Sequence, residues 1–156
     1  MDTVAKATVA LFMPCELCVS HHPKELWRDA SVYVIDASQA GLPGFIRVVL
    51  TRHIKEMTDL SKEERGHVMD VVFFIEGMMR RYFAAEKINL AEFGNMTPHL
   101  HWHIIARFAD DEYFPDSVWS QKRRAVNTAS MEKHLEDAKR FLEDLPGLLS
   151  KEFAAS

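Results

Sequence analysis

The clearest pattern in the chain is an alternation of histidines and large apolar residues at positions 99–105, in the order His99-Leu100-His101-Trp102-His103-Ile104-Ile105. Side chains on a β-strand point alternately to its two faces. The spacing therefore predicts a strand whose three histidines share one face, while Leu100, Trp102, Ile104 and Phe108 share the other. A helix, with about 3.6 residues per turn, would scatter the same side chains around its circumference. We expect one face to carry chemistry and the other to pack against a core.

Three other segments predict strands. Residues 31–36 and residues 45–51 have the β-branched and aromatic composition typical of strands. The glycines and the proline between Gly41 and Gly44 predict a turn, so the two strands should pair as a long-looped hairpin. A shorter segment, residues 87–90, predicts another strand ahead of the histidines.

Helix signals occur in two places. Ser61 and Glu64 have the spacing of a capping box, in which the two side chains satisfy free backbone amides at a helix start. Apolar residues then recur at spacings of three and four, typical of a helix that packs on a sheet: Val68, Val71, Val72, Ile75, Met78, Met79 and Tyr82. A second helix is predicted from about Thr128 to Pro146-Gly147, with an apolar face of Met131, Leu135, Ala138, Phe141, Leu142 and Leu145.

The order strand, strand, helix, strand, strand, helix predicts an α+β fold with an antiparallel sheet. A chain of 156 residues is long enough for one hydrophobic core and short for two. We expect a leader over residues 1–14 and a single domain over residues 15–156.

Composition and charge exclude several classes of protein. The hydrophobic content of 47% and charged content of 27% are ordinary for a globular protein, and no apolar run reaches the length that crosses a bilayer. The apolar run at residues 7–14 lacks the cationic start of a signal peptide, which favours the cytoplasm. The net charge is −4, and the basic residues are dispersed apart from a short cluster at residues 122–124. We therefore expect no binding to polymeric nucleic acid and none to a membrane.

Two kinds of side chain carry candidate chemistry. The only two cysteines, Cys15 and Cys18, form a C-x-x-C pair, which in a reducing compartment indicates a metal or redox site more than a disulfide. A neutral imidazole is well suited to attack phosphorus near neutral pH. We expect the central ring, His101, to be the nucleophile, while the flanking rings and nearby amides hold the phosphate oxygens. The second ring nitrogen of His101 then needs an acceptor, either a backbone carbonyl or a side chain from the adjacent strand, to fix its tautomer.

The histidine segment resembles the signature of the histidine triad (HIT) family, His-φ-His-φ-His-φ-φ with φ apolar, at all seven positions. Residues 94–103, Gly94-Asn95-Met96-Thr97-Pro98-His99-Leu100-His101-Trp102-His103, resemble the bacterial diadenosine tetraphosphate hydrolase-like branch. The resemblance implies an antiparallel sheet of about five strands with two main helices. It also implies a nucleotide hydrolase or transferase that cleaves at the α-phosphate through a covalent nucleotidyl-histidine. Its substrate would be a purine nucleotide of dinucleoside polyphosphate or nucleoside phosphoramidate type.

The same resemblance assigns roles to other residues. His101 is the nucleophile, flanked by His99 and His103, and Asp36 at the end of the first predicted strand holds the ribose hydroxyls. The alternative reading of Asp36 is a residue that only forms a turn. Contacts to the phosphates are implied for a further set of polar residues: Asn89, Asn95 and Thr97. The chain departs from many relatives at Met96, where they carry a serine or threonine.

Some relatives bind zinc through a C-x-x-C pair, a histidine after the second strand and the first histidine of the triad. Cys15, Cys18, His53 and His99 match that set. Four protein ligands leave no open position, so the resemblance implies a structural zinc. It implies no organic cofactor, and it implies a homodimer.

Two alternatives from other functional classes stay open at this point. In the first, the three histidines bind a catalytic metal that activates water. In the second, the chain is a nucleotide-binding module without turnover. A nucleotidyl group trapped on His101 would separate both from the covalent mechanism.

Overall fold

The computed structural model describes residues 15–154, which form a five-stranded antiparallel sheet and two long helices. In chain order the elements are β1 (Glu25–Arg28), β2 (Val32–Asp36), β3 (Phe45–Leu50), α1 (Lys62–Tyr82), β4 (Lys87–Ala91), β5 (His101–Arg107) and α2 (Thr128–Glu152), with a single 3₁₀ turn at Met57–Asp59 before α1. The strand order across the sheet is β1-β2-β3-β5-β4. The predicted α+β fold, with about five strands and two main helices, is confirmed.

Strand β5 lies between β3 and β4, and its alternation follows the predicted pattern. Val48 of β3 pairs with Trp102, and Arg47 pairs with His103. Leu100, Ile104 and other residues of the same face are buried in the main core with side chains of both helices. His101 and His103 therefore lie on the opposite face of the sheet, which neither helix covers.

Both helices pack on one face of the sheet, because each has one apolar stripe. The capping box predicted at the start of α1 is present: the Glu64 amide donates to Ser61 Oγ at 3.1 Å, and the Ser61 amide donates to Glu64 Oε2 at 3.0 Å. The buried residues of α1 belong to the predicted stripe: Val68, Val71, Val72, Ile75 and Met79.

The structure differs from the sequence prediction in two elements. Strand β1 was not predicted, because at the sheet edge its four residues are only half-buried and have no alternating pattern. Helix α2 continues past Pro146 to Glu152, although proline removes one backbone donor from a helix. Leu145 and Leu149 are fully buried on either side of this proline and hold the last turns on the core. Leu135 was predicted on the apolar face but is 55% exposed.

The predicted leader, residues 1–14, lies outside the described residues. Within residues 15–154, no helix combines the length and the apolar composition that a bilayer crossing requires.

The capping box generates a prediction about stability. Replacing Ser61 with alanine removes the acceptor for the Glu64 amide, so we expect the free energy of unfolding to fall by about 1 kcal/mol in urea denaturation. Ser150→Ala is the control, because it makes the same chemical change at an exposed position inside α2. It should be neutral or slightly stabilising. Equal losses in the two variants would contradict the capping role.

Candidate active site

Two neighbouring cavities open on the sheet face that the helices leave uncovered. The first, which we call the histidine cavity, has a volume of about 440 Å³ and is lined by both His101 and His103. The second, the aspartate cavity, has a volume of about 300 Å³ and is lined by Asp36. Glu16, Leu17 and Arg47 line both of them, so the two cavities meet at these three side chains.

The tautomer of His101 is fixed by the backbone. Its Nδ1 lies 2.6 Å from the carbonyl oxygen of His99. A carbonyl oxygen can only accept, so Nδ1 carries the proton and Nε2 keeps its lone pair. The acceptor that we expected for the second ring nitrogen is present, and it is the backbone carbonyl of His99. This arrangement leaves Nε2 available for nucleophilic attack or for accepting a hydrogen bond.

His103 stands next to His101 in a mostly aromatic wall. The two imidazole centroids are 4.9 Å apart, and His103 also meets the rings of Phe45 at 5.7 Å and Trp119 at 4.8 Å. Burial lowers the pKa of His103 to about 3, and the positive charge on Arg47 acts in the same direction. The ring is therefore neutral near pH 7 and acts through hydrogen bonding, not as a charged acid.

His99 occupies a different position from the other two histidines. It precedes β5 and is completely buried, and it does not line the histidine cavity. Its Nε2 donates to the carbonyl oxygen of Leu50 at 2.6 Å, so Nδ1 has the lone pair. Nδ1 lies 3.5 Å from the Cys15 sulfur and 3.4 Å from the Cys18 sulfur, so its lone pair is directed to the two thiols.

The four residues predicted as metal ligands are brought together. One ligand atom from each of Cys15, Cys18, His53 and His99 lies within 4.8 Å of the other three. Cys18 Sγ is 3.2 Å from His53 Nδ1. With metal–sulfur bonds of about 2.3 Å and metal–nitrogen bonds of about 2.1 Å, a tetrahedral zinc site has S···N edges of about 3.6 Å. The residues present therefore fit a tetrahedral metal with two thiolate and two imidazole ligands.

This group of four, which we call the Cys2His2 cluster, lies where the N-terminal loop, residues 15–24, meets the sheet. Cys15 and Cys18 belong to the loop, whereas His53 follows β3. Between the cysteines, the Leu17 carbonyl accepts a hydrogen bond from the Tyr33 hydroxyl at 2.6 Å. Burial raises the pKa of Tyr33 to about 12, so this hydroxyl stays a donor. The loop is thus fixed where Glu16 and Leu17 form the shared wall of the two cavities.

The residues predicted to contact phosphate divide into two groups. Asn95 and Thr97 line the histidine cavity, and the Thr97 hydroxyl donates to Glu16 Oε1 at 3.1 Å. Asn89 is not brought to the cavity. Its Oδ1 accepts from Arg107 Nη1 at 2.8 Å, where it supports a buried arginine.

Asp36 ends β2 and lines the aspartate cavity, as the ribose role requires. One of its carboxylate oxygens, Oδ1, accepts from the Ser38 amide at 2.9 Å, so the residue also forms the turn. The two readings of Asp36 are compatible, because the turn uses one oxygen and leaves the other.

Arg47 is one of the lining residues that the sequence did not predict, and it carries a permanent charge. It lies in the middle of β3, opposite His103, and both residues carry a buried nitrogen with no hydrogen-bond partner among residues 15–154. The unpaired atoms are Arg47 Nε and His103 Nδ1. The sequence carried one signal for Arg47, because it is the single charged residue in an otherwise apolar strand. A charged side chain within a sheet normally has a polar partner, so its presence there indicates either an ion pair or a ligand.

Comparison with protein-family models matches residues 23–110 to the HIT domain, which is more than half of the chain. The chain belongs to the HIT domain family. The matched region of this HIT domain contains Asp36, Arg47, His53 and all three histidines of the triad.

Individual relatives agree with this assignment. Over 96 residues this chain is 28% identical to the asymmetrical bis(5′-nucleosyl)-tetraphosphatase of Schizosaccharomyces pombe. The alignment covers 58% of this chain and 53% of that protein. The chain therefore spans about half the length of this curated relative.

Solved structures of other members share the fold. A histidine triad protein from Sinorhizobium meliloti superposes with a TM-score of 0.61 at 24% identity, covering 76% of this chain and 87% of that one. A histidine triad protein from Bradyrhizobium japonicum gives a TM-score of 0.60 at 23% identity, covering 76% and 89%.

The burial of His103 generates a prediction about pH. Because its pKa is about 3 in the folded chain and about 6.5 when unfolded, protons bind the unfolded chain preferentially below pH 6.5. The free energy of unfolding should therefore fall as the pH drops from 7 to 5. Replacing His103 with asparagine should reduce that fall by on the order of 1–2 kcal/mol, measured by urea denaturation at both pH values.

The control for this measurement is His21→Asn, which removes an exposed histidine. It should keep the pH dependence of the parent chain. A His103→Asn variant with an unchanged pH dependence would show that burial of this ring carries no such cost.

Proposed function

We propose that this HIT domain is a nucleotide hydrolase or nucleotidyltransferase that cleaves at the α-phosphate of a nucleoside phosphate derivative. The single observation that carries the proposal is the 2.6 Å contact between His101 Nδ1 and the His99 carbonyl, because it leaves the Nε2 lone pair in a cavity of about 440 Å³. The reaction has two steps, with His101 as the nucleophile.

In the first step, Nε2 of His101 donates its lone pair to the α-phosphorus, and the bond from phosphorus to the leaving group breaks. The electron pair of that bond departs with the leaving group, which takes a proton from solvent. The proton on Nδ1 stays hydrogen bonded to the His99 carbonyl, so positive charge that develops on the ring is stabilised there. The product is a nucleotidyl-histidine.

In the second step, a water oxygen, or the oxygen of another acceptor, attacks the same phosphorus. The bond from phosphorus to Nε2 breaks, its electron pair returns to the ring, and the proton of the attacking molecule passes to solvent. His101 is restored with its proton still on Nδ1. Hydrolysis and transfer differ only in which acceptor enters, so both activities are compatible with the site.

Several neutral groups line the histidine cavity beside the proposed reaction centre and can hold phosphate oxygens. Burial keeps the pKa of His103 near 3, and Asn95 and Thr97 line the same cavity with an amide and a hydroxyl. We propose that His103, Asn95 and Thr97 donate hydrogen bonds to the phosphates and that Asp36 accepts them from the ribose hydroxyls. The Thr97 hydroxyl has one donor hydrogen, so its proposed phosphate contact would require the bond to Glu16 to break. Asn89 does not line the cavity, so its proposed phosphate contact would require the residue to move.

The substrate proposed here is a purine nucleotide of dinucleoside polyphosphate or nucleoside phosphoramidate type. The relative from Schizosaccharomyces pombe is named as a bis(5′-nucleosyl)-tetraphosphatase, which supports the first type. The two adjoining cavities offer space for a nucleoside beside a phosphate chain.

The catalytic-metal alternative has less support from the geometry. Among residues 15–154, the one group of candidate ligands with mutually close atoms is the Cys2His2 cluster, which includes neither His101 nor His103. His99 directs its lone pair to the thiols, away from the other two rings. The three histidines therefore do not converge on a common point.

We propose that the Cys2His2 cluster binds a structural zinc ion. The Nε2 bond from His99 to the Leu50 carbonyl fixes the tautomer that a metal ligand needs, as backbone partners of ligating histidines commonly do. The bound ion would supply a cross-link between the N-terminal loop and the sheet, with all four positions filled by protein.

Three further expectations remain predictions: a cytoplasmic location, a homodimer, and one domain over residues 15–156.

The covalent mechanism predicts an adduct on one residue. After incubation with a dinucleoside polyphosphate or a nucleoside phosphoramidate and an acid-free quench, intact-mass spectrometry should detect a nucleotidyl group on the wild-type chain. His101→Ala should form no adduct and should lose about 10³-fold or more in kcat/KM, because the nucleophile is gone.

His21→Ala is the matched control, since it removes an exposed histidine outside both cavities. Turnover by wild-type chain without any adduct would contradict the covalent step. Nucleotide binding with neither turnover nor adduct would indicate the binding module instead.

The structural zinc predicts a defined metal content. Elemental analysis should find about one zinc per chain in the wild-type protein and little in Cys18→Ser. The variant should melt roughly 10 °C lower, because the cross-link to the loop is lost. His21→Ala should keep the zinc. A chelator that abolished the His101 adduct while leaving the melting temperature unchanged would contradict a structural role.

A further inference from the structure

Arg47 occupies the boundary between the two cavities. It lies in β3 directly opposite His103 and lines both the histidine cavity and the aspartate cavity. Among the described residues that line the histidine cavity it is the only lysine or arginine. A permanent positive charge therefore stands between the proposed nucleophile and the proposed ribose contact.

The half-buried Arg47 lacks the hydrogen bonds that the buried Arg107 makes. Arg107 donates to the Asp111 carboxylate from Nε at 2.8 Å and from Nη2 at 3.1 Å. Its Nη1 donates to Asn89 Oδ1 at 2.8 Å, and Nη2 donates also to the Asp116 carbonyl at 2.7 Å. Arg47 Nε is buried without any partner in the described part of the chain. A buried donor left unpaired costs about 1–3 kcal/mol, so a structural arginine would be expected to resemble Arg107.

The side chain of Arg47 has the charge and the donors to bind an anionic ligand. Burial lowers the pKa of Arg47, and the negative charge of Glu16 opposes that effect. An arginine keeps its proton at physiological pH, so the side chain remains a cation. Phe45 presents its ring 5.7 Å from the guanidinium carbon. A planar guanidinium with free donors matches the geometry of phosphate oxygens, which accept paired hydrogen bonds.

We propose that Arg47 binds the phosphate that is attached to the ribose, at the junction of the two cavities. This inference rests on the proposed function, because it takes His101 as the nucleophile on one side and Asp36 as the ribose contact on the other. The α-phosphate must lie between those two residues, and Arg47 lines the wall that the cavities share. Its charge would also stabilise the negative charge on the phosphate oxygens during attack.

Affinity for the nucleotide and its nucleoside tests the role directly. Kd values for AMP and adenosine are measured by calorimetry in a His101→Asn background, where no turnover occurs. Arg47→Met should weaken AMP binding by about 10- to 100-fold, the loss expected for hydrogen bonds to a charged group. Adenosine binding should change less than about twofold, because adenosine carries no phosphate. Arg47→Lys should be intermediate, since it keeps the charge without the paired donors.

Arg65→Met is the matched control, because it removes the same charge from an exposed position on α1, on the other side of the sheet. It should leave both Kd values unchanged. In a chain that keeps His101, Arg47→Met should lower kcat as well as raise KM. If Arg47 only supported the fold, its replacement would weaken AMP and adenosine binding to the same extent.

Stability gives a second readout that distinguishes a ligand-binding arginine from a structural one. Arg47→Met should keep or raise the urea midpoint, because it removes an unpaired buried donor. Arg107→Met should lower the midpoint, because it leaves Asp111 buried without its partner. If the Arg47 variants do not fold, the Arg47 Nε–H signal in the NMR spectrum of the wild-type chain should shift on adding AMP and not on adding adenosine.

Several results would overturn the inference. Equal losses of AMP and adenosine affinity in Arg47→Met would indicate a role in shape or folding, and unchanged AMP affinity would exclude phosphate binding by Arg47. If either of these affinity results is obtained and the wild-type chain still forms the His101 adduct, the role of Arg47 is wrong and the proposed function is unaffected. If the wild-type chain binds no nucleotide and forms no adduct, the proposed function fails and the role of Arg47 fails with it.

Discussion

The antiparallel pairing of β3 with β5 is the constraint on which the rest of the structure depends. Because β5 is paired on both sides, its residues must alternate between a face covered by two helices and a face covered by loops. Ile104 packs into the helix side of the core, and His101 and His103 are directed to the cavity. The register also sets Arg47 opposite His103. A slip of one residue would exchange the two faces, so the same hydrophobic burial that stabilises the sheet orients the polar residues.

His99 connects the candidate metal site to the candidate active site through three separate groups. Its carbonyl accepts from His101, its Nε2 donates to Leu50 at the end of β3, and its Nδ1 is directed to the two thiols. The two cysteines of the Cys2His2 cluster belong to the loop whose Glu16 and Leu17 form the wall shared by the cavities. Metal binding and nucleotide binding would therefore be coupled through the position of one loop, without any direct contact between metal and substrate.

Among residues 15–154, the two buried side-chain nitrogens without a hydrogen-bond partner lie where a ligand would be bound. Arg47 Nε and His103 Nδ1 belong to neighbouring residues on adjacent strands, and both residues line the histidine cavity. By contrast, each of the three side-chain nitrogens of the buried Arg107 donates at least one hydrogen bond. Unpaired polar atoms are costly in a folded protein, so each one calls for an explanation such as a ligand. This contrast is what distinguishes the proposed phosphate-binding arginine from an arginine that stabilises the fold.

Local patterns in the amino-acid sequence are sufficient to predict several features of single elements. The alternation around His101, the capping box at Ser61 and the apolar stripe of α1 each follow from the periodicity of a single element, and each is present in the structure. Which residues meet depends on how the elements pack together. This packing separates His99 from the histidine cavity, bonds Asn89 to Arg107 and brings Arg47 to the boundary of the two cavities. Periodicity reports which face of an element is buried, because burial follows hydrophobicity. Contacts between distant segments depend on strand register and loop packing, which no local pattern encodes.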